Sequence, residues 1–264
     1  MKRTLKSLVG QTLFASAVDE ILLRDAAVVV VFHRVQDGAR GDGLTVGVRQ
    51  FERYCRFFQR HFNVVPLERL VSSLQDGRPL SRELAITFDD GYRDNFENAA
   101  PVLEALGLPA TFFVVSQWVE SDVVPWWDGQ AGVRHPWMSW AQVRSLHRRG
   151  FEIGAHTRTH VDLGSVTVQE AADEIAGARR ELESRLSAPV ESFAYPYGGR
   201  ENVAESSRAL VKASGFRCCC SCYGGVVAPG TDPFHLARIP VSSWYKSPHH
   251  FGLDVVLGNT LLPR

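Results

Sequence analysis

The chain has 264 residues, enough for one large α/β domain or two small ones. It is 45% hydrophobic and 22% charged, so it can bury a sizeable core, and its 29 basic residues balance 29 acidic ones. This balance lacks the basic excess that indicates nucleic-acid binding, and no run of about 18 apolar residues predicts a transmembrane helix.

Residues 1–25 are predicted to form an N-terminal helical segment, because apolar residues recur there at amphipathic spacing. A basic start, an apolar stretch at 8–18 and the sequence at 15–17 also resemble a signal peptide. The stretch is short and contains Gln11 and Thr12, which favours a helix packed on the domain or lying on a membrane surface. We therefore expect peripheral membrane contact and a cytoplasmic or membrane-peripheral location rather than secretion.

Apolar runs and helical spacing alternate along the rest of the chain. The predicted strands are 26–32, 63–66, 84–88, 110–115, 151–155, 192–195, 216–223 and 235–240. The predicted helices are 48–61, 67–74, 95–106, 139–149, 167–186 and 201–214. This rhythm indicates parallel βαβ units in a single barrel-like or doubly wound domain over 26–264. A polar loop at 37–43 and an aromatic-rich insertion at 120–138 interrupt it.

Four of the five cysteines crowd into one predicted strand. They are Cys218, Cys219, Cys220 and Cys222. Adjacent cysteines do not easily bridge each other, and the run lacks the separated pairs of a zinc site. The pattern therefore favours a buried strand in a reducing compartment.

Polar residues follow four of the predicted strands. They are His33, Asp89-Asp90, His156 and Tyr195-Pro196-Tyr197. In parallel α/β folds the carboxyl ends of the strands form the edge where active sites are built. A turn would also explain an Asp-Asp-Gly sequence, but four such positions together favour a site at this edge.

His156 and His160 have the i, i+4 spacing that suits two imidazoles on one metal ion if the segment turns helically after its strand. A carboxylate from Asp89-Asp90 would supply the third ligand, and the other carboxylate could take a proton from a metal-activated water. The ion could be zinc, iron, cobalt, nickel or manganese, because these ligands do not choose among them. The pattern predicts a hydrolase acting on a carbonyl or phosphoryl centre.

Two of these stretches resemble signature motifs of the polysaccharide deacetylases, carbohydrate esterase family four, which share a NodB-homology domain. They are Thr87–Tyr92 and His156–His160, about 65 residues apart, and Ala194–Gly198 resembles a variant of the third motif. The resemblance implies a distorted (β/α) barrel with about seven parallel strands. It also implies removal of acetyl groups from sugars with a divalent metal, for which zinc is the first expectation.

The resemblance assigns roles to five residues of this chain. Asp89 would be the general base, and Asp90, His156 and His160 would bind the metal. The backbone at Tyr195 would help to form an oxyanion hole.

The chain departs from the family pattern in two places. Phe193 and Ala194 stand where an arginine that orients the base is usual, and Arg238 is our candidate to replace it. The Leu-x-His motif that usually supplies the general acid is not evident. His235 has the wrong spacing for this motif, and the favoured interpretation is that it is a solvated loop histidine. Residues 33–35 resemble a His-Arg-Val stretch that follows the first strand in an exopolysaccharide-associated subgroup of the family. The resemblance implies that His33 lines the site.

Aromatic residues are the candidates for substrate contact. Trp126, Trp127 and Trp137 lie in the insertion, where stacking on sugar rings and packing of the insertion are the two interpretations. Tyr197 and Trp244 are further candidates.

These observations predict a metal-dependent hydrolase that removes N-acetyl groups from N-acetylhexosamine units of a polysaccharide or saccharide precursor. One alternative is action on another acetylated substrate, such as an O-acetyl ester. Another is a catalytically silent carbohydrate-binding scaffold, although the intact Asp89, Asp90, His156 and His160 argue against it. The polymer, the general acid and the oligomeric state stay open.

Overall fold

Parallel strands form the centre of the protein in the computed structural model, which describes residues 2–38 and 43–261. The strands are β1 (Ala27–Phe32), β2 (Arg34–Val35), β3 (Thr45–Val46), β4 (Asn63–Val64), β5 (Glu83–Phe88), β6 (Thr111–Val114), β7 (Glu152–Ala155), β8 (Ser192–Ala194), β9 (Cys218–Cys220) and β10 (Ile239–Pro240). The main sheet has the order β10-β1-β5-β6-β7-β8-β9 with every pair parallel, and β4 pairs with β5 outside this path. The sheet curls into an open, distorted barrel with β9 and β10 at its two ends, which confirms the predicted fold class.

Helices cover the sheet and mostly match the predicted positions. They are α1 (Lys2–Ala15), α2 (Val18–Leu22), α3 (Val48–His61), α4 (Leu67–Gln75), α5 (Ala100–Ala105), α6 (Trp126–Gln130), α7 (Trp140–Arg148), α8 (Val168–Leu186), α9 (Glu205–Ala213) and α10 (Pro248–Leu261). A capping box of Ser139 and Gln142 begins α7, and Thr167 with Glu170 forms another before α8. Most of the predicted loop at 37–43 lies outside the described residues. Within the described ranges, no helix combines the length and apolar character needed to cross a bilayer.

Three helix predictions were wrong in detail. The N-terminal segment is two helices rather than one, because Ala17 adopts a left-handed conformation (φ 56°) between them. The helix predicted from residue 95 begins with a π-helical stretch, Asn95–Ala99, before α5. The helix predicted over 201–214 begins with a 3₁₀ turn, Arg200–Asn202, and the non-helical Val203 and Ala204 separate this turn from α9.

The C-terminal helix α10 was not predicted, and it packs against α1. Gly10 of α1 allows this close approach, because a Cβ there would lie 2.0 Å from the carbonyl oxygen of His249. Gly252 makes room for the ring of Phe14, which packs on Phe57 with centroids 4.9 Å apart. The domain boundary at residue 26 stays a prediction.

The outward face of α1 carries exposed apolar side chains. They belong to Leu5, Leu8 and Val9. Membrane contact through this helix also stays a prediction.

A stack of phenylalanine rings supports the carboxyl end of the sheet. Phe32, Phe88 and Phe112 are in register on β1, β5 and β6, with successive ring centroids 5.6 and 4.7 Å apart. All three rings are fully or almost fully buried. Because His33 and Asp89 directly follow two of these residues, their backbones leave the sheet from a rigid, packed layer.

Candidate metal centre and substrate cavity

Loops from the carboxyl ends of the strands meet around a cavity of about 340 Å³. Its lining residues are His33, Gly43, Leu44, Asp89, Asp90, Trp126, Trp127, His156, His160, Tyr197, Cys222, Pro240 and Val241. Most of the predicted site residues are therefore brought together. Arg238 lies beneath the cavity against Asp89, and Tyr195 is buried in the core.

Asp90, His156 and His160 form a buried group that could hold a metal ion. Their ligand atoms all lie within 4.8 Å of one another. Asp90 Oδ1 is 3.4 Å from His156 Nε2 and 3.3 Å from His160 Nε2. That oxygen is fully buried and has no hydrogen-bond partner among the described residues. A buried carboxylate oxygen without a donor is costly, and a cation at this position would remove that cost.

The imidazole of His156 is oriented as a metal ligand would be. Its Nδ1 lies 2.8 Å from the carbonyl oxygen of Ala194, which can only accept a hydrogen bond, so Nδ1 carries the proton. The Nε2 atom is then the one that faces Asp90. Fixing the outer nitrogen of a histidine in this way is typical of metal sites.

The two carboxylates also affect the protonation of His156. Burial lowers the pKa of this imidazole, but Asp89 and Asp90 outweigh burial and raise it. Protons therefore compete with a cation for this nitrogen, and metal binding is expected to weaken in acid.

Strained backbone residues aim the site's side chains. Among the described residues, eight non-glycine positions have φ greater than zero, and four of them are Asp90 (73°), Thr157 (61°), His160 (63°) and Tyr197 (61°). Such conformations cost free energy and concentrate at functional sites. The segment after β7 does not turn helically, and left-handed residues bring His156 and His160 together in a loop instead.

Arg238 and Asp89 form a buried bidentate ion pair. The two guanidinium nitrogens Nη1 and Nη2 donate to Oδ1 and Oδ2 of Asp89, each at 2.7 Å. The remaining donors reach the Thr87 hydroxyl, the Ser221 carbonyl and the Cys222 sulfur, so every N–H of Arg238 has an acceptor. Arg238, our candidate to replace the arginine that orients the base in the family pattern, thus contacts Asp89, the expected base.

This ion pair controls the charge of Asp89. Burial alone would raise the pKa of the carboxyl, but Arg238 and His156 outweigh burial and hold the pKa below its usual value. Asp89 is therefore an anion at neutral pH.

The oxyanion role expected for the backbone of Tyr195 was wrong for its amide. That N–H donates to the carbonyl oxygen of Cys220 at 3.0 Å. Pro196 has no N–H, so Tyr197 carries the next amide along the chain. This amide has no protein acceptor among the described residues, and the Tyr197 side chain lines the cavity.

The insertion contributes two indoles to the cavity and anchors them below it. Trp127 packs on His160 with centroids 5.2 Å apart, and Trp126 is 59% exposed at the cavity. Asp128 of the same helix accepts a hydrogen bond from Arg34 at 2.6 Å, and both side chains are buried. Trp137 is buried and stacks on another ring, so packing is its role.

Two further candidates lie away from the cavity. Trp244 is 56% exposed, and its indole is covered by the guanidinium of Arg3 at 3.4 Å. His235 is exposed at the end of a short 3₁₀ helix, Pro233–His235, and its ring pairs with the hydroxyl of Tyr223 at 2.9 Å.

Some site residues were not predicted from the sequence. Trp118 stacks on His160 with centroids 5.0 Å apart, and Cys222 lines the cavity beside Arg238. Cys218 to Cys220 form the buried strand that was predicted, and all five cysteines are free. Ser221 interrupts the cysteine run, and this interruption could have indicated that Cys222 lies beyond the strand. No local sequence pattern indicates that Trp118 belongs to the site.

Comparisons with known proteins agree with this arrangement. Residues 76–219 match the protein-family model described as Polysaccharide deacetylase. The Bacillus subtilis (strain 168) protein YxkH, whose name describes a polysaccharide deacetylase, is 24% identical over 216 residues, which are 81% of this chain and 71% of that relative. The poly-beta-1,6-N-acetyl-D-glucosamine N-deacetylase of Escherichia coli (strain K12) is 28% identical over 137 residues, which are 49% of this chain and only 20% of that relative.

A solved structure has a similar fold. The Streptococcus pyogenes deacetylase PplD, determined in complex with acetate, superposes with a TM-score of 0.74 at 18% identity. The match covers 88% of this chain and 98% of that one. At this identity the likeness concerns the fold.

Proposed function

Since the chain belongs to the polysaccharide deacetylase family, we propose that it is a metal-dependent hydrolase that removes N-acetyl groups from N-acetylhexosamine units of a polysaccharide or saccharide precursor. The observation that carries this proposal is that adjacent carboxylates in one cavity have different partners. Asp89 is held by the buried guanidinium of Arg238, whereas Asp90 faces His156 and His160. The name of the Escherichia coli relative supports an N-acetylglucosamine polymer as the substrate class.

Asp90, His156 and His160 would hold the divalent metal ion. The unpartnered oxygen of Asp90 and the fixed ring of His156 suit a cation. Two imidazoles and a carboxylate leave coordination positions open. A bound ion would supply Lewis-acid polarisation of the acetyl carbonyl. Zinc is our first choice of ion, with cobalt, nickel, manganese and iron as alternatives.

Asp89 would act as the general base. Its carboxylate would accept a proton from the water whose oxygen attacks the acetyl carbon. Arg238 keeps this carboxylate charged and fixes its orientation through both oxygens. The C–N bond then breaks with proton transfer to the nitrogen, which yields acetate and a free amine.

The amide of Tyr197 is our candidate to stabilise the negative charge that develops on the carbonyl oxygen. Its N–H has no protein acceptor among the described residues, and Tyr197 follows the end of β8 and lines the cavity. Oriented backbone donors of this kind stabilise tetrahedral transition states.

Acetate release from N-acetylglucosamine oligosaccharides tests the proposed function. The purified protein should release acetate, a chelator should abolish release, and added zinc or cobalt should restore it. An aryl acetate ester serves as the comparison substrate. Release from the ester alone would contradict N-deacetylation, and a protein that binds no divalent ion and hydrolyses neither substrate would be a carbohydrate-binding scaffold.

We expect Trp126→Ala to raise the KM for a long oligosaccharide by about fivefold, with kcat unchanged. An exposed indole at the cavity can stack on a sugar ring, and aromatic stacking contributes about 1 kcal/mol. Trp244→Ala is the matched control, because Trp244 has a similar exposed fraction but lies outside the cavity, with Arg3 over one face of its ring. Steady-state kinetics on oligosaccharides of increasing length would measure the effect. An equal rise in KM for both variants would contradict a stacking role.

A further inference from the structure

The loop that carries His156 and His160 has little regular structure of its own. Residues 156–160 lie outside any helix or strand, and two of them have left-handed backbones. One internal bond, from the amide of His160 to the Thr157 hydroxyl at 3.0 Å, links its two strained residues. Something outside the loop must therefore hold it in this conformation.

Glu174 of α8 makes three hydrogen bonds to this loop. Its Oε2 accepts from the amides of Arg158 (2.8 Å) and Thr159 (2.9 Å). Its Oε1 accepts from the Thr159 hydroxyl at 2.8 Å. A single half-buried carboxylate thus binds both residues that lie between Thr157 and His160.

The same face of α8 holds the Arg158 side chain. Glu181, seven residues after Glu174, accepts from Arg158 Nε at 2.8 Å. Gly177 lies between them, and a Cβ there would be 2.4 Å from Arg158 Cδ, so the glycine gives the arginine stem its path across the helix. On the other side, the amide of Gln117 donates to the carbonyl of Arg158 at 3.0 Å.

We infer that Glu174 is a positioning residue for the metal ligands, acting through the loop rather than by touching the ion. This inference rests on the proposed metal centre. Without the carboxylate, water can satisfy the two amides in other conformations, and the left-handed residues can relax. His160 would then leave the place where its Nε2 faces Asp90.

The test compares zinc affinity among variants of the whole chain. Glu174→Ala removes all three acceptors, whereas Glu174→Gln keeps the shape and removes the charge. A glutamine can accept from both amides and donate to the Thr159 hydroxyl, which can serve as an acceptor. Asp173→Ala removes a neighbouring exposed charge from the same helix and is the matched control. Competition with a chromophoric chelator gives the zinc Kd, and the visible spectrum of the cobalt form reports ligand geometry.

Glu174→Ala should weaken zinc binding roughly tenfold and alter the cobalt spectrum, as loss of groups that orient metal ligands typically does. Glu174→Gln and Asp173→Ala should stay within about threefold of the unmodified protein. The thermal midpoint of the metal-free protein should change little between Glu174→Ala and Asp173→Ala. An unchanged Kd for Glu174→Ala, a glutamine variant as weak as the alanine one, or a weaker Kd explained by general unfolding would each overturn the inference. If the unmodified protein bound no divalent ion, the proposed metal centre would fail as well.

Discussion

Asp90→Asn is expected to reduce zinc affinity by more than about 100-fold. Loss of a residue that only hydrogen-bonds to a metal ligand typically costs about 10- to 100-fold, and loss of a ligand should cost more. Acetate release should fall by about a thousandfold, because the Lewis-acid contribution to such reactions is several kcal/mol. The physical reason is that Asp90 supplies the only carboxylate in the candidate group with His156 and His160 among the described residues. Zinc titration and acetate release would measure both effects.

Histidine variants provide the controls for this prediction. His160→Ala should resemble Asp90→Asn, because it removes another member of the group. His235→Ala should keep zinc affinity and activity, because that ring contacts Tyr223 away from the cavity. Wild-type zinc affinity in Asp90→Asn would refute the assignment of this residue to the metal.

Arg238→Met should destabilise the protein by about 3–5 kcal/mol and lower activity at neutral pH by about 100-fold or more. A buried ion pair that loses one partner leaves an uncompensated charge, and Arg238 is 1% exposed. Without it, burial would raise the pKa of Asp89, and the carboxyl would hold the proton that it must accept in the reaction. Chemical denaturation and kcat/KM measure the two losses.

The pH dependence of this variant has a definite sign. In the unmodified protein Arg238 and His156 hold the pKa of Asp89 below the ordinary value of an aspartate. The ion pair therefore stabilises the fold above that ordinary value, and this stabilisation is lost as the pH falls through the lowered pKa of the folded protein. The stability difference between Arg238→Met and the unmodified protein should therefore shrink in acid. Its activity should recover towards high pH as Asp89 loses its proton.

A double variant separates the two roles of Arg238. Asp89→Asn with Arg238→Met removes both charges, so it should regain much of the lost stability while staying inactive. Asp89→Asn alone should also lose activity, because its amide cannot take the proton of water. Full activity in Asp89→Asn would disprove the role of Asp89 as base, and unchanged stability in Arg238→Met would contradict the importance of the ion pair.

Local sequence patterns were enough to predict the strands of the main sheet and the motifs at their ends. A strand that is buried on both faces needs an apolar residue at nearly every position, so a short apolar run identifies it. This pattern extends over only a few residues and can be found without knowledge of the rest of the fold. His33, Asp89, Asp90 and His156 follow such runs, and the parallel arrangement then brings them to one edge. The helix α10 escaped prediction because its fit against α1 depends on small residues and not on amphipathic spacing.

Which side chains touch one another at this edge depends on how distant segments fold together. Arg238 reaches Asp89 across 149 residues of sequence, and the register of β10 on β1 determines that contact. Glu174 gains its importance from hydrogen bonds that depend on helix placement. The amide of Tyr197 gains its importance because it has no protein acceptor among the described residues. Such contacts join segments that are far apart in the sequence, so no local sequence pattern predicts them. The residue types that suit a metal-dependent hydrolase can be identified from short motifs. The contacts among the base, the guanidinium and the metal ligands depend on the fold.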